Sequence, residues 1–158
     1  MKKNLLLLTM TLVLLTAGCG AKNRETPQGS HGQACIPLLE AYMESAEERG
    51  AALETSLERD VLTQTDMNLK SRELYELWDE AMKYVWGELE AHLPEQTFAQ
   101  LSQDQRAWEQ EREQRMEEAG KSVEGGTMYA LVVNTQAASV TRARVYELCD
   151  ILKQANRA

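Results

Sequence analysis

The side chains in this sequence that could do chemistry are three cysteines, two histidines and a large excess of carboxylates. His31 and His92 lie far apart, and neither has a second ligand at metal-binding spacing. A zinc site needs three or four converging cysteine, histidine or carboxylate ligands, so we expect no bound metal and no cofactor. Glutamates are so frequent that a pair four residues apart does not indicate the two-carboxylate chemistry of glycoside hydrolysis.

The motifs of the common enzyme classes are also missing from the sequence. It contains no G-x-S-x-G nucleophile turn, no Walker-type phosphate loop and no G-x-G-x-x-G dinucleotide motif. We therefore expect no catalytic residues, no small-molecule substrate and no enzyme activity.

Cys19 is the residue whose surroundings predict a covalent reaction. Two lysines precede an apolar run at residues 5–15, which is the layout of a secretory signal peptide and is too short to span a bilayer. The tetrapeptide at residues 16–19, TAGC, resembles a bacterial lipobox. It predicts cleavage before Cys19 and a diacylglyceryl group on its thiol, with an ordinary cleaved signal peptide as the alternative.

The chain then divides into a signal peptide at 1–18, a lipidated cysteine with a flexible tether at 19–33, and one domain at 34–158. The tether is predicted from its glycine, proline and polar residues and from its lack of apolar periodicity. A lipid on Cys19 would anchor the protein to a membrane without spanning it. Because Gly20 and not an aspartate follows the cysteine, we expect a periplasm-facing protein of the outer membrane.

The two remaining cysteines, Cys35 and Cys149, flank the folded region. Cysteines of exported proteins usually pair, because the compartment is oxidising. We predict a disulfide between them that ties the first helix to the last, with two free buried thiols as the alternative.

Acidic residues dominate the charge of the chain, which has 17 basic and 25 acidic side chains. Removal of residues 1–18 takes two lysines away and leaves 15 against 25, a net charge of about −10. This balance argues against nucleic acid, which requires a basic surface, and it favours a basic partner. A solvated surface without a partner is the alternative. The predicted partner surface consists of acidic residues near the start of the domain: Glu44, Glu47, Glu48 and Glu54.

Apolar residues recur at helical spacing from residue 35 onward, and little β-alternation is present, so the sequence predicts an all-α fold. Four helices are expected: 36–59, 65 to about 92, 94 to about 119, and 127 to the end of the chain. Thr65 or Asp66 is the predicted N-cap of the second helix and Thr127 that of the fourth. Long helices joined by short breaks predict an antiparallel bundle of about four helices.

Trp108 stands in a segment, residues 104–116, that is otherwise almost entirely charged or amide-bearing. Helical spacing places it on one stripe with Gln105 and Arg112, so we predict that Trp108 faces the core. A buried guanidinium needs a partner. Asp79 on the preceding helix is the predicted partner of Arg112.

Short motifs between residues 65 and 152 follow one another in a specific order. They are Thr65-Asp66-Met67-Asn68, Trp78-Asp79, Gln105-Arg106-Ala107-Trp108, Arg112-Glu113, Gly125-Gly126-Thr127, Val140-Thr141-Arg142-Ala143-Arg144 and Glu147-Leu148. This series resembles the LprI-like family, which is named for a mycobacterial lysozyme inhibitor. The chain departs from the family pattern at Leu69 and Met116, where cysteines are expected, and we predict an apolar contact in their place.

The resemblance implies an exported, lipid-anchored helical domain that binds and inhibits lysozyme-like muramidases. Structural roles are implied for the motif residues Asp79, Gln105, Arg106, Trp108, Arg112, Gly125, Gly126, Thr141, Arg142 and Arg144. The alternative is a structural or adaptor lipoprotein of the envelope with no enzyme target. An enzyme acting on the cell wall ranks last, because the sequence contains no site for one.

Overall fold

The computed structural model of the chain describes residues 31–157, with side chains from Ile36 onward. It contains four α-helices: α1 His31–Arg59, α2 Gln64–His92, α3 Glu95–Gly120 and α4 Tyr129–Ala155. A short 3-10 helix, Lys121–Val123, lies before α4, and the described residues form no strand. The predicted all-α fold of four helices is confirmed. The predicted signal peptide, Cys19 and most of the tether lie outside the described residues, but the last three tether residues belong to α1.

The start of α2 is fixed by a reciprocal pair of hydrogen bonds. The Asp66 amide donates to the Thr63 hydroxyl, and the Thr63 amide donates to the Asp66 carboxylate, both at 3.2 Å. Each bond satisfies an amide that the helix itself cannot pair. Hydrogen bonding from Thr63 also lowers the pKa of Asp66 below its ordinary value. The predicted N-cap, Thr65 or Asp66, is therefore wrong, because Thr63 caps the helix and Asp66 occupies its third position.

The turn before α4 also differs from the prediction. Met128 is the N-cap of α4 and makes no side-chain capping bond. The carbonyl of Thr127 instead accepts a hydrogen bond from the Asn68 side chain at 3.0 Å, so this residue joins the turn to α2. Gly125 turns the chain with a φ of 73°, in the left-handed region that glycine tolerates.

α2 and α4 run parallel and form the most extensive interface among the described helices. Asn68 meets Thr127 at one end of the pair, and the Trp78 ring lies 5.2 Å from the Arg142 guanidinium further along both helices. The two helices contribute small buried residues to the core, which permit close approach: Ser71, Ala81, Ala137 and Ala138.

α1 and α3 lie on opposite sides of this central pair and run antiparallel to it. On one side, Lys153 near the end of α4 pairs with Glu40 near the start of α1 at 3.3 Å. On the other, Arg144 of α4 donates to Gln105 of α3 at 3.0 Å. Sequential helices are thus antiparallel, but the bundle is flattened so that its second and fourth helices touch.

The core extends from Leu39 to Leu152 and draws on all four helices. Trp78 is its largest fully buried side chain. Gly50 makes room for this ring, because a Cβ at Gly50 would lie 3.2 Å from Trp78 Cζ2. Burial of each large apolar side chain stabilises the fold by roughly 1.5–3 kcal/mol. The core of the described residues therefore lies among the four helices, which pack on one another. None of these helices is long and apolar enough to cross a membrane.

Candidate functional site

The ion pair between Asp79 and Arg112 joins α2 to α3. Arg112 Nη1 lies 3.5 Å from Asp79 Oδ1, and the Arg112 side chain is 15% exposed. Lys83 holds the other oxygen of the carboxylate at 2.6 Å. The predicted pairing is confirmed, and the charge of Asp79 is matched inside the protein.

Trp108 lies between two guanidinium groups. Its ring is 5.1 Å from Arg112 Cζ and 5.8 Å from Arg144 Cζ, distances at which cations are attracted to an indole. The side chain is half-buried and packs against the core. The prediction that Trp108 faces inward is confirmed, and its surroundings indicate a structural role in joining α3 to α4.

Gln105 completes this cluster from a buried position. Its side-chain oxygen accepts from Arg144 Nε at 3.0 Å, and its amide donates to Met82 Sδ at 3.4 Å. The amide therefore links α2, α3 and α4 at one level. Arg106, the next residue of the same motif, is exposed and makes none of these contacts.

A second cluster joins α1 to α4 through Arg142. This residue donates two hydrogen bonds to Glu47, which also accepts from the Tyr146 hydroxyl. Burial, and next the hydrogen bond to Glu47, raise the pKa of Tyr146 to about 12. Glu47 was predicted as part of the partner surface, but Arg142 neutralises its carboxylate. Its place in a partner surface stays a prediction, and within the fold Glu47 joins α1 to α4.

The other predicted surface acids have different surroundings. Glu44 and Glu48 are exposed on α1 and are open to a partner. Glu54 lies 3.7 Å from Arg142 Nη1 and is 45% exposed at the side chain, so its charge is partly matched. The open acidic surface of α1 is therefore smaller than the sequence predicted.

Several motif residues have purely local roles. Thr141 is fully buried in α4, and its hydroxyl makes no hydrogen bond. Gly126 follows the left-handed Gly125 and donates to the Val123 carbonyl at 3.0 Å. Leu69 is 50% exposed and Met116 is half-buried, and the apolar contact expected between them remains a prediction.

Cys149 is a free, buried thiol on α4, and burial raises its pKa to about 11. Glu40 pairs with Lys153 and Glu47 with Tyr146, so Cys149 lies level with the stretch of α1 between Glu40 and Glu47. Met43 is in the middle of that stretch, and Cys35 comes eight residues earlier in the helix. At a rise of 1.5 Å per residue this is about 12 Å along the axis, whereas disulfides need Cα atoms within about 7 Å.

The side chain of Cys35 lies outside the described residues, so its pairing with Cys149 remains a prediction. The helical register argues against it, because the first turns of α1 would have to unwind to bring the two residues together.

Several open clefts lie along the edges of the flattened bundle. One of them, the α1–α4 cleft, also borders α2, has a volume of about 380 Å³ and is lined by Leu57, Met67, Leu131 and Glu54. Another lies between α2 and α3, has a volume of about 390 Å³ and includes Trp86 in its wall. Within the described part of the chain, no three histidine, cysteine or carboxylate side chains are placed to hold a metal ion.

The described residues define a small all-α protein in which arginine and tryptophan side chains hold the helices together. A family model described as "Lysozyme inhibitor LprI" matches residues 57–148, which is more than half of the chain. The chain belongs to this family. The match covers α2 and α3 and most of α4, and it begins near the end of α1. No curated protein and no solved structure matches the chain.

Sequence reasoning missed two features of the surface. Val61 is fully exposed in the short connection between α1 and α2. Its exposure could have been inferred from the sequence, because Val61 is an apolar residue directly after Asp60, where the helical pattern ends. The α1–α4 cleft carried no comparable signal, since periodicity does not reveal which helices diverge.

Proposed function

We propose that the protein binds and inhibits lysozyme-like muramidases at the bacterial cell envelope and is not itself an enzyme. The family match over residues 57–148 carries this proposal, because the family is described as a lysozyme inhibitor. The resemblance of its ordered motifs to the LprI-like pattern supports the same function.

Charge supports a basic target. The chain carries eight more acidic than basic side chains over its whole length, and such an excess attracts a basic protein during diffusional encounter. Glu44 and Glu48 are exposed carboxylates to which such a protein has access. The clusters around Trp108 and Arg142 are engaged within the fold and leave binding to other surfaces.

We also propose a location: the outer membrane, with a lipid on Cys19 and the helical bundle facing the periplasm. The TAGC tetrapeptide at residues 16–19 and the preceding signal-peptide layout support lipid attachment. Metabolic labelling with a radioactive or clickable fatty acid tests it. Label is expected on the wild-type chain and absent from a Cys19→Ser variant, and equal labelling of the two would reject the anchor.

The inhibition itself is tested by titrating residues 20–158, which retain every core residue that the structure describes, against several basic lysozymes that hydrolyse cell wall. A stoichiometric loss of hydrolysis is expected, weaker at high salt because screening shortens electrostatic range. The control is a non-inhibitory acidic protein of similar size and net charge. If no lysozyme type is inhibited at a large molar excess, an adaptor role without an enzyme target replaces this proposal.

A further inference from the structure

The connection between α1 and α2 is a sharp corner, which we define as residues 58–63 and call the distal corner. Val61 stands at its apex and is fully exposed, with acidic side chains at Glu58 and Asp60 just before it. An apolar side chain completely surrounded by solvent gains nothing for the fold, since it buries no area there. It is free to bury that area against a partner.

The distal corner is held rigid from both sides. Ser56 donates a hydrogen bond to the Asp60 carboxylate, and the Asp60 amide donates to the Ser56 carbonyl at 3.1 Å. On the other side, Thr63 and Asp66 form the capping pair that starts α2. A corner fixed before binding loses little conformational entropy on association, which favours affinity.

The distal corner also lies at the apolar end of the bundle. Among the described residues, six large hydrophobic side chains are exposed, and four of them belong to this end: Val61, Leu69, Met128 and Tyr129. The hydrogen bond from Asn68 to the Thr127 carbonyl ties the start of α2 to the turn before α4, so these residues belong to neighbouring segments. The start of α1 lies at the opposite end of the bundle from the distal corner.

We propose that the distal corner enters the substrate cleft of the muramidase and blocks it, an inference that rests on the proposed function. A glycosidase holds its polysaccharide in a groove between two catalytic carboxylates, so an inhibitor that blocks the groove must present a convex element. The apex of the corner is an uncharged valine, which can approach those carboxylates without charge repulsion. Glu58 and Asp60 flank the apex, where they meet the basic surface around the groove. The family match begins at Leu57 and therefore includes the whole corner.

A matched pair of variants tests the distal corner. Val61→Asp places an anion at the apex, where the catalytic carboxylates would repel it, whereas Leu38→Asp places one on an apolar side chain that is 66% exposed near the start of α1, at the opposite end. Both variants change the net charge equally, and both sites are exposed enough to leave the core intact. We expect Val61→Asp to raise the inhibition constant by about tenfold or more, as for a central interface residue. Leu38→Asp should change it by less than about twofold, as for a residue outside the interface.

Kinetics with a soluble oligosaccharide substrate provide a second readout. A chain that occupies the cleft competes with the substrate, so the wild-type chain should raise the apparent KM of the muramidase without changing its kcat. Helical circular dichroism and thermal midpoints of both variants show that the fold is kept, and Val61→Ser, which adds no charge, should weaken inhibition in the same direction by a smaller factor.

The outcomes separate the two proposals. If the wild-type chain inhibits but the two aspartate variants lose inhibition equally, or neither loses it, the distal corner is not the inhibitory element. Wild-type inhibition that lowers kcat at constant KM overturns the corner as well. If the wild-type chain does not inhibit at all, the proposed function fails and the corner fails with it.

Discussion

The contacts of Arg142 determine whether the neighbouring Glu47 carboxylate is available to a partner. Its guanidinium binds both oxygens of Glu47 and lies over the Trp78 ring at 5.2 Å. The guanidinium is planar and carries several N–H donors, so it can make a bidentate interaction with a carboxylate. The ammonium group of a lysine cannot reproduce this geometry. Tyr146 adds a third donor to the same carboxylate. A glutamate that looked available in the sequence is thereby committed to joining α1 and α4.

The Tyr146 hydroxyl makes the stability of this cluster depend on pH. Its pKa rises from 10.0 to about 12 in the fold, through burial and the hydrogen bond to Glu47. Because the folded state binds the proton more tightly, the stabilisation is complete below pH 10 and is lost as pH rises toward 12. We expect the unfolding free energy to fall over this window and to fall less in Tyr146→Phe. Urea unfolding at several pH values measures this change in the unfolding free energy. Tyr42→Phe serves as the comparison, since burial also raises the pKa of Tyr42. If the unfolding free energy falls with pH equally steeply in wild type and in Tyr146→Phe, the assignment to Tyr146 is contradicted.

Cys149 provides a prediction about covalent state. Burial keeps its thiol protonated near neutral pH, with a pKa of about 11, and shields it from reagents. We expect iodoacetamide to leave Cys149 unmodified in the native protein and to alkylate it after unfolding without a reductant, as judged by peptide mass. If the thiol becomes reactive only when a reductant is added, the disulfide with Cys35 is present and α1 must unwind at its start.

At the scale of the helices, the sequence located the four α-helices but not the short 3-10 helix before α4, and it predicted the wrong caps for α2 and α4. Thr63, Thr65 and Asp66 are all residue types that cap helices, and three candidates within four positions cannot be ranked by type alone. The structure ranks them by geometry, because only Thr63 combines an extended backbone with a carboxylate three residues later that reaches back to its amide.

Thr63→Ala separates the real cap from the expected one. Removing the hydroxyl leaves the Asp66 amide without its partner, and the loss of an N-cap typically costs about 1 kcal/mol of stability. Thr65→Ala is the matched control, since Thr65 is exposed and lies inside α2, where alanine is a good helix former. Denaturant unfolding of both variants is the measurement. A larger loss in Thr65→Ala than in Thr63→Ala would reverse the assignment.

At the scale of the whole molecule, the least predictable feature is the parallel contact of α2 with α4. Helical periodicity shows which face of a helix is buried, and the buried residues Leu77, Trp78 and Val85 of α2 follow that periodicity. It does not show which helix covers that face. Small side chains such as Ala81 and Ala138 let the diagonal helices touch, and this flattening opens the clefts along the edges. The candidate site was therefore predictable in its half-buried ion pair, Asp79 with Arg112, and not in its exposed surface.

The arrangement of charge over the molecule leads to a prediction about association rate. Glu44 and Glu48 lie exposed on α1, whereas Glu113 and Glu117 are exposed on α3, on the far side of the central helix pair. Replacing either pair by glutamine removes two negative charges, so the two double variants have equal net charge. If α1 steers a basic muramidase, the α1 variant should bind several-fold more slowly at low salt, with little change in dissociation rate, because exposed charges act mainly on encounter.

Surface plasmon resonance at two salt concentrations measures both rates. The α3 variant should slow association much less, and the difference between the two variants should shrink at high salt as screening shortens the range of exposed charges. Equal slowing by the two variants would show that total charge, and not the face of α1, attracts the partner. Because Val61 contacts the partner only after encounter, Val61→Asp should instead raise the dissociation rate. Steering by α1 and insertion of the distal corner are thus separable in one set of measurements.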